Sequence, residues 1–534
     1  MASIREATFD VMRECGLTRI FANPGSTEVS FLTGMPDDFD FVLGLHEGSV
    51  VGMATGYAIA TDAPAFVNLH TTAGFGNAVG ALATARVNKV PLVVIVGQQD
   101  RRHLSLEPFL AGKLDGLAGN YPVWFEQPVL PQDVPAAVRR ANYEAILHRG
   151  PAIVVVPMND WDHLTEESLG LSAPSEVQRA ATDPEKSVEQ IASLLDLAEA
   201  PIMVVGAGAD KPATWDALRT LSERLGAPVW QESFGARAGF PQDHPNFAGH
   251  LPKTRSRLRA VLDGYDVALV VGAAAFRQFI FEPGRLAPEG LTIIVVSEDP
   301  DEVHRSNARL AIIADPGPVC AQLAVRVSQH ERFQRSSETK QSPISPPIEG
   351  ETLRARDVYA ALATRLPRDV VLIEETPSTR QELMRLVPAR MARGFISAAM
   401  GALGFALPAA TGLRMGDPTR PVVAVIGDGS FLFSIQGLWS AAHYDCGVIF
   451  IVMNNGRYSI MDRLAERHEG KAPWPPFENI DFCGLATSFG CDARRIIDYN
   501  ELLDSLDELM VGISDRTKPI VLDVTVAPET EFEP

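Results

Sequence analysis

Short apolar runs recur along this chain, and each ends in a turn that leads toward a helix-like stretch. "RIFANPG", "DFVLGLHE", "AFVNLHTTAG", "PLVVIVG" and "PAIVVVP" fill the first third. Between them lie the helical stretches "GSVVGMATGYAIA", which meets its strand directly, and "GNAVGALATARV", which follows a Gly-bearing loop. Strands alternating with helices predict a parallel sheet. The pattern returns twice. "PIMVVGAGAD", "PVWQES", "DVALVVGAAA" and "LTIIVVSEDP" make a second unit. "VVLIEE", "SAAMGALGFALPAATG", "PVVAVI", "GVIFIVM" and "PIVLDVTV" make a third. A polar stretch from about Thr165 to Lys186 and a Ser-, Pro- and charge-rich one from Ser328 to Glu351 read as linkers. The 534 residues suffice for about three domains. The expected fold is α/β, with three doubly wound parallel-sheet domains over 1–165, 186–328 and 352–534.

Charge narrows the partners. Lys plus Arg is 47 and Asp plus Glu is 67, a net of −20. Nucleic acid and anionic membrane surfaces both attract basic proteins, so neither is expected here. The five cysteines, at 15, 320, 446, 483 and 491, form no C-x-x-C pair and read as reduced thiols in a cytoplasmic protein. The amino terminus, "MASIREATFDVMRECG", is charged early and has no long apolar signal core. No run approaches the ~20 apolar residues needed to cross a bilayer.

The chemistry concentrates between Gly427 and Asn455. "GDGS" closes one apolar strand and "NNG" closes the next, with 24 residues, 430 to 453, between Gly429 and Asn454. That length fits one helical crossover plus the following parallel strand. Asp428 and the asparagines then lie side by side at the carboxyl edge of the sheet, where ligands of open α/β folds bind. Gly427 and Gly429 let the backbone approach closely, and the helix after Ser430 points its amino end at an anion. A carboxylate, an amide oxygen and a main-chain carbonyl form a hard, incomplete oxygen set. Such a set suits Mg²⁺, with phosphate and water completing it. Each motif alone is an ordinary turn; together, at this spacing, they read as a metal–diphosphate clamp.

The combination resembles the thiamine diphosphate motif. That resemblance implies Asp428, Asn455 and the main-chain oxygen of Arg457 as ligands of Mg²⁺ (or Ca²⁺). It also implies a glutamate in the first unit that polarises the cofactor's aminopyrimidine ring, so that the thiazolium carbon can lose its proton. Glu47 fits, at a strand end in apolar surroundings where a carboxyl pKa can rise. More of the chain looks like the pyruvate decarboxylase and acetolactate synthase superfamily, and most like its benzoylformate decarboxylase branch. "FANPGSTE", "HEGSVVGMATGYA", "FVNLHTTAGFGNAVGAL", "PLVVIVGQQ", "GALGFALPAATG", "VVAVIGDGS" and "MNNGRYS" carry the likeness across all three units, in the family's order. The resemblance implies pyrimidine-binding, middle and diphosphate-binding domains. It further implies that the glutamate of one chain completes the site of another, so the protein is a homo-oligomer, at least a dimer and in the family's manner a tetramer. Gly401 matches the carbonyl that receives the aminopyrimidine, and Leu403 the bulky residue that props the cofactor in a bent shape. Gly427, Gly429, Ser430 and Tyr458 join them as cofactor-binding positions.

Ser26 and His70 match the family's polar substrate groups, a hydroxyl for a carboxylate and a proton relay. The pair is not expected to act as a hydrolase, since no G-x-S-x-G elbow occurs and no third residue is indicated. One position departs from the family. Benzoylformate decarboxylases carry a second histidine shortly after a Phe-Arg pair; here the stretch is "FRQFIFEPG", and Phe279 stands there. Phe109, Leu110, Phe279, Phe433, Ile460, Met461 and Leu464 together suggest an apolar pocket for a bulky or aromatic acyl group. "VVGAGAD" lacks the third glycine of a dinucleotide fingerprint, having Lys211 there, and reads as a tight turn. The expected function is decarboxylation of a small-molecule 2-oxo acid, benzoylformate-like, to an aldehyde. Carboligation or lyase chemistry on 2-hydroxy ketones or 2-hydroxyacyl-CoA is the second enzymatic reading. A non-catalytic nucleotide-binding regulator on the same fold is the third.

Overall fold

The computed structural model describes residues 2–165, 184–330, 345–348 and 350–529. Most of the two expected linkers, 165–186 and 328–351, lies outside those residues. The first sheet is built from β1 (Arg19–Asn23), β2 (Asp40–Leu43), β3 (Ala65–Leu69), β4 (Leu92–Gln98), β5 (Trp124–Glu126) and β6 (Pro151–Pro157). The second takes β7 (Pro201–Val205), β8 (Val229–Gln231), β9 (Phe247–His250), β10 (Val267–Val271), β11 (Thr292–Ser297) and β12 (Leu310–Ile313). The third takes β13 (Val371–Glu375), β14 (Phe395–Ser397), β15 (Val422–Gly427), β16 (Ile449–Asn454), β17 (Asp492–Ile496) and β18 (Ile520–Thr525). Every strand pairing is parallel, and β3, β4, β6, β7 and β10 are buried at every position. Helices cover both faces of such sheets, so their strands are continuous apolar runs instead of alternating ones. No helix among the described residues is long and apolar enough to cross a membrane.

The strand orders are β2-β1-β3-β4-β6-β5, β12-β11-β10-β7-β8-β9 and β14-β13-β15-β16-β18-β17. In each sheet the winding reverses beside its first strand: between β1 and β3, between β7 and β10, and between β13 and β15. Such reversals open a crevice beyond the carboxyl ends of the strands. In the second sheet this crevice is shut by close packing. A Cβ on Gly208 would lie 2.8 Å from the Cα of Gly272, and one on Gly206 2.6 Å from the Ala273 methyl. The "VVGAGAD" turn is therefore a backbone contact.

Two local expectations are corrected. The Gly-bearing segment after β3 is no loop: the helix Thr71–Val87 starts at once, and its first turn is closed by the Gly74 amide donating to the His70 carbonyl at 2.6 Å. The crossover after β15 is not one helix beginning beyond Ser430. It is two short ones, Asp428–Leu432 and Gly437–His443, separated by turns. The break leaves Phe433 at the surface, its Cβ directly under Gly404.

The first and third sheets share a core in which Met53, Ala54 and Ala58 meet Ala406, Ala409 and Leu413. The contact is made by two helices, Glu47–Thr61 and Ala406–Gly416. A Cβ on Gly56 would lie 2.0 Å from the Ala409 carbonyl oxygen, and one on Gly412 1.9 Å from that of Met53. Only hydrogen at these positions lets the two backbones touch. Gly56→Ala or Gly412→Ala would force the helices apart. Each is expected to cost a net ~1–3 kcal/mol despite alanine's better helix propensity, seen as a lower midpoint in chemical or thermal unfolding.

Candidate active site

Each candidate residue sits where a strand ends. In the third sheet, Gly427 of β15 pairs with Met453 of β16, which brings Asp428 beside the asparagines. Asp428 is 3% exposed. Its Oδ1 accepts from the Gly429 amide (2.7 Å), and its Oδ2 from the amides of Asn455 (2.9 Å) and Gly456 (2.6 Å). One carboxylate thus stitches two strand ends together. Burial pushes its carboxyl up to about 6, against the pull of those amides. Among the described residues no cationic side chain lies within 4 Å of it; the Arg457 guanidinium is turned to Asp462 (3.9 Å) and Glu478 (3.6 Å). A buried carboxylate in this state fits a bound cation.

The two asparagines divide their work. Asn454 donates to the fully buried Asp523 at 2.8 Å and is structural. The Asn455 side-chain oxygen accepts from the Arg457 amide at 3.1 Å. Asp428 is therefore tied to the turn that carries Asn455 and the Arg457 main chain, and the three could hold a hard cation together. Ser430 is buried. Tyr458 stacks edge-on against Phe477, with centroids 5.0 Å apart. Its ring lies so close to Gly429 that a Cβ there would meet it at 2.4 Å.

In the first sheet, Ser26 follows β1, Glu47 follows β2 and opens its helix, and His70 follows β3. Glu47 is 7% exposed. Asn23 Nδ2 donates to its Oε1 (3.1 Å) and Asn77 Nδ2 to its Oε2 (3.0 Å). His70 Nδ1 lies 2.9 Å from both Glu28 Oε2 and Thr27 Oγ1. A carboxylate partner favours the proton on Nδ1 and leaves Nε2 as the exchangeable nitrogen. Ser26 is exposed at the turn. Glu28, buried and joined to His70, was not singled out from the sequence; its place two residues after Ser26 was the available signal.

A cavity of about 320 Å³ opens between the second and third sheets. Gly401, Leu403, Ile460 and Phe279 line it, with Lys253 and Arg380. Its floor is tied to Glu375, another residue the sequence reading passed over. The Glu375 carboxylate accepts from the amides of Gly404 (2.7 Å), Phe405 (2.8 Å) and Ala406 (2.7 Å), capping the helix Ala406–Gly416. Burial pushes its carboxyl up to about 7 while those three amides pull it down. The rule that marks Asp428, polar oxygens at the tip of an apolar strand, also marks "VLIEE".

The seven apolar pocket positions do not gather in one chain. Phe279 and Ile460 share the cavity. Phe433 lines a separate groove of about 200 Å³ with Gly48, Asn77 and Leu403. Phe109, Leu110, Met461 and Leu464 line neither, and Phe109 is 87% exposed. Nor do Ser26, Glu47 and His70 line the cavity that holds Gly401. Glu47 adjoins the groove with Leu403 and Phe433 through Gly48 and its hydrogen-bond partner Asn77, while the Gly401 cavity opens above β13 and β14.

Known proteins resemble the chain along its whole length. Residues 2–118 match the thiamine pyrophosphate enzyme N-terminal TPP binding domain, 188–323 the central domain, and 378–524 the C-terminal TPP binding domain. The chain is 35% identical over 540 residues to a benzoylformate decarboxylase of Pseudomonas aeruginosa, covering all of both. It is 24% identical to the acetolactate synthase isozyme 3 large subunit of Escherichia coli, over 96% of this chain and 92% of that one. Among solved structures, a thiamine diphosphate-dependent 4-hydroxybenzoylformate decarboxylase of Rhodococcus jostii superposes with a TM-score of 0.93. It is 32% identical, over 99% of this chain and 100% of that one. A benzoylformate decarboxylase of Polynucleobacter necessarius gives 0.92 at 32% identity over the same shares.

Glu375→Gln would replace a carboxylate that accepts three amides with one carbonyl oxygen and an amino group that repels them. It is expected to cost about 1–3 kcal/mol in unfolding free energy, and to raise hydrogen exchange at the amides of residues 404–406 relative to the rest of the third sheet.

Proposed function

Because the chain belongs to the thiamine pyrophosphate enzyme family, we propose that it removes CO₂ from a bulky or aromatic 2-oxo acid, benzoylformate-like, and releases the aldehyde, using thiamine diphosphate and Mg²⁺. The observation that carries this reading is the buried Asp428 carboxylate, held beside Asn455 with no cationic side chain within 4 Å among the described residues. When bound, thiamine diphosphate supplies the electron sink that lets a carboxylate leave as CO₂. Asp428, Asn455 and the Arg457 carbonyl would hold Mg²⁺ (or Ca²⁺), whose charge offsets the diphosphate. Gly427, Gly429, Ser430 and Tyr458 would surround that end of the cofactor. Gly401 and Leu403 would receive and prop its aminopyrimidine.

The remaining steps belong to the chain's own side chains. Glu47 would hold a proton at the aminopyrimidine ring nitrogen. Ser26 would receive the substrate carboxylate. His70, oriented by Glu28 and Thr27, would move a proton to the reacting carbon from Nε2. Leu403, Ile460 and Phe279 would exclude water and accept the apolar acyl group. The separation of Glu47 from the Gly401 cavity supports a homo-oligomer in which one protomer's first unit meets its partner's third. At least a dimer is required, and the family's manner is a tetramer.

Carboligation to 2-hydroxy ketones is the second reading, and one observation favours it. Phe279 stands in the cavity, 56% exposed, where benzoylformate decarboxylases carry a histidine. A phenyl ring transfers no proton, so release of aldehyde slows and an acceptor aldehyde has time to compete.

The test is CO₂ release from a panel of 2-oxo acids with added cofactor and Mg²⁺. Benzoylformate is expected to react, and Glu47→Gln to slow the reaction ~10²–10⁴-fold while still binding thiamine diphosphate. Inactivity of the parent on every acid of the panel would overturn the decarboxylase reading. With benzoylformate and excess benzaldehyde, the parent is expected to give 2-hydroxy ketone readily and Phe279→His to shift the ratio toward free aldehyde. An unchanged ratio would remove Phe279 from the reacting site.

A further inference from the structure

The cavity above β13 and β14 is covered by loops from the second sheet that end β8, β9 and β10. They present Phe234, Lys253 and Arg277–Phe279, respectively. The last two loops are joined, because the Phe279 amide donates to the Lys253 carbonyl at 3.1 Å. Lys253 Nζ and the Arg277 guanidinium share the Phe234 ring, 5.7 and 5.6 Å from its centroid. Arg380 enters from the third sheet.

These three cations are not equally compensated. Arg277 lies 3.6 Å from the buried Glu232, and Arg380 lies 3.3 Å from the buried Glu374. Glu375 is occupied by three backbone amides. Among the described residues no carboxylate lies within 4 Å of Lys253. On a wall that also carries Phe279, Leu403, Ile460, Glu374 and Glu375, the Lys253 ammonium is thus the cation left without an ion-pair partner, able to meet an anion that enters the cavity.

We propose that Lys253 is an anion-recognition residue, and that the acid this enzyme takes carries a second negative group, remote from the reacting carbon. The proposal rests on the decarboxylase reading and sharpens its substrate class. The reactive carboxylate is the wrong partner for Lys253, on energetic grounds. Its charge departs in the transition state, so a cation held against it would stabilise the ground state more and slow the step. A distal carboxylate on an aromatic or extended acyl chain keeps its charge throughout. Binding it strengthens ground and transition states alike.

Burial, and after it the Arg380 charge, push the Lys253 ammonium down to about 8, while Glu374 pulls the other way. His250, near the same loop, is pushed down to about 3 by burial and then by Arg380 and Lys253, so it is neutral at pH 7. Arg277, Arg380, Glu232 and Glu374 face the same site, and burial pushes the Glu232 carboxyl up against the pull of the Arg277 charge. Lys253 is cationic below pH 8 and loses its charge above it.

The experiment uses the holoenzyme in two arms. In the first, calorimetric titration compares terephthalate with benzoate, neither of which reacts. The parent is expected to favour terephthalate, and Lys253→Met to lower that preference about 10- to 100-fold, the worth of a charge-assisted hydrogen bond. Lys253→Arg is expected to keep it, and in the parent it fades as pH rises through about 8. In the second arm, KM is compared for benzoylformate and its 4-carboxy derivative, and Lys253→Met is expected to change their ratio by the same factor. No terephthalate preference in the parent, equal weakening of both ligands by Lys253→Met, or an equal fall in kcat for both acids would overturn the proposal. The last outcome would make Lys253 a proton donor. A terephthalate preference that depends on Lys253, with no CO₂ from either acid, would sink the decarboxylase reading and leave the anion subsite standing.

Discussion

The contact between the helices Glu47–Thr61 and Ala406–Gly416 governs this molecule. It joins residues far apart in sequence into one core and does so backbone to backbone, through Gly56 and Gly412. Both helices begin at functional residues. One opens with Glu47; the other is capped by Glu375 and preceded by Gly401 and Leu403. Fixing the pair fixes both ends of the candidate chemistry, because a helix start is the most exactly placed part of a βα turn. The Asn88 side chain reinforces the link, donating to the Ser397 carbonyl (3.0 Å) and accepting from the Ala399 amide (2.8 Å) just before the Gly401 loop.

The three sheets apply one topological rule to different ends. Where the winding reverses, strand ends diverge and leave room. The first sheet fills that room with His70, Glu28 and Thr27; the third fills it with Asp428 and Glu375. The second closes it with glycine contacts and uses the loops after β8, β9 and β10 instead, through Phe234, Lys253 and Phe279. Its position is set by a buried knot against the third sheet. Asp210 accepts the Arg393 amide at 2.7 Å, and Arg237 forms a bridge to Ile396. Burial pushes the Asp210 carboxyl up to about 6 even with the Arg237 charge beside it. The height of the cavity roof thus depends on groups that never touch it.

Much of this was legible in the residues. A parallel sheet writes its strands as uninterrupted apolar runs, so the three units and the GDG and NN strand ends could be read directly. Asp428, Glu47 and His70 stand at strand tips as expected. What could not be read was pairing across long separations. Glu28, Glu375 and Lys253 look like ordinary charged residues until the fold brings His70, the 404–406 amides and the Phe234 ring to them. The seven apolar pocket positions lie apart in one chain for a related reason: hydrophobicity marks a residue as wanting cover without saying which surface covers it. The helix break at Phe433 went unseen because the periodicity of two short turns resembles that of one longer helix.

The glycine contact also has a consequence during synthesis. The helix Glu47–Thr61 is buried along most of its length, and its partner lies roughly 350 residues downstream, which at ~5–20 residues per second is on the order of 20–70 s later. Throughout that interval the nascent first unit carries an uncovered, close-fitting helix face with nothing to seat against it. Such a chain is a natural client for a chaperone, and premature termination anywhere before residue 406 would leave the face open for good. The same tightness that makes the finished joint rigid leaves a chain that stops short of the second helix sticky.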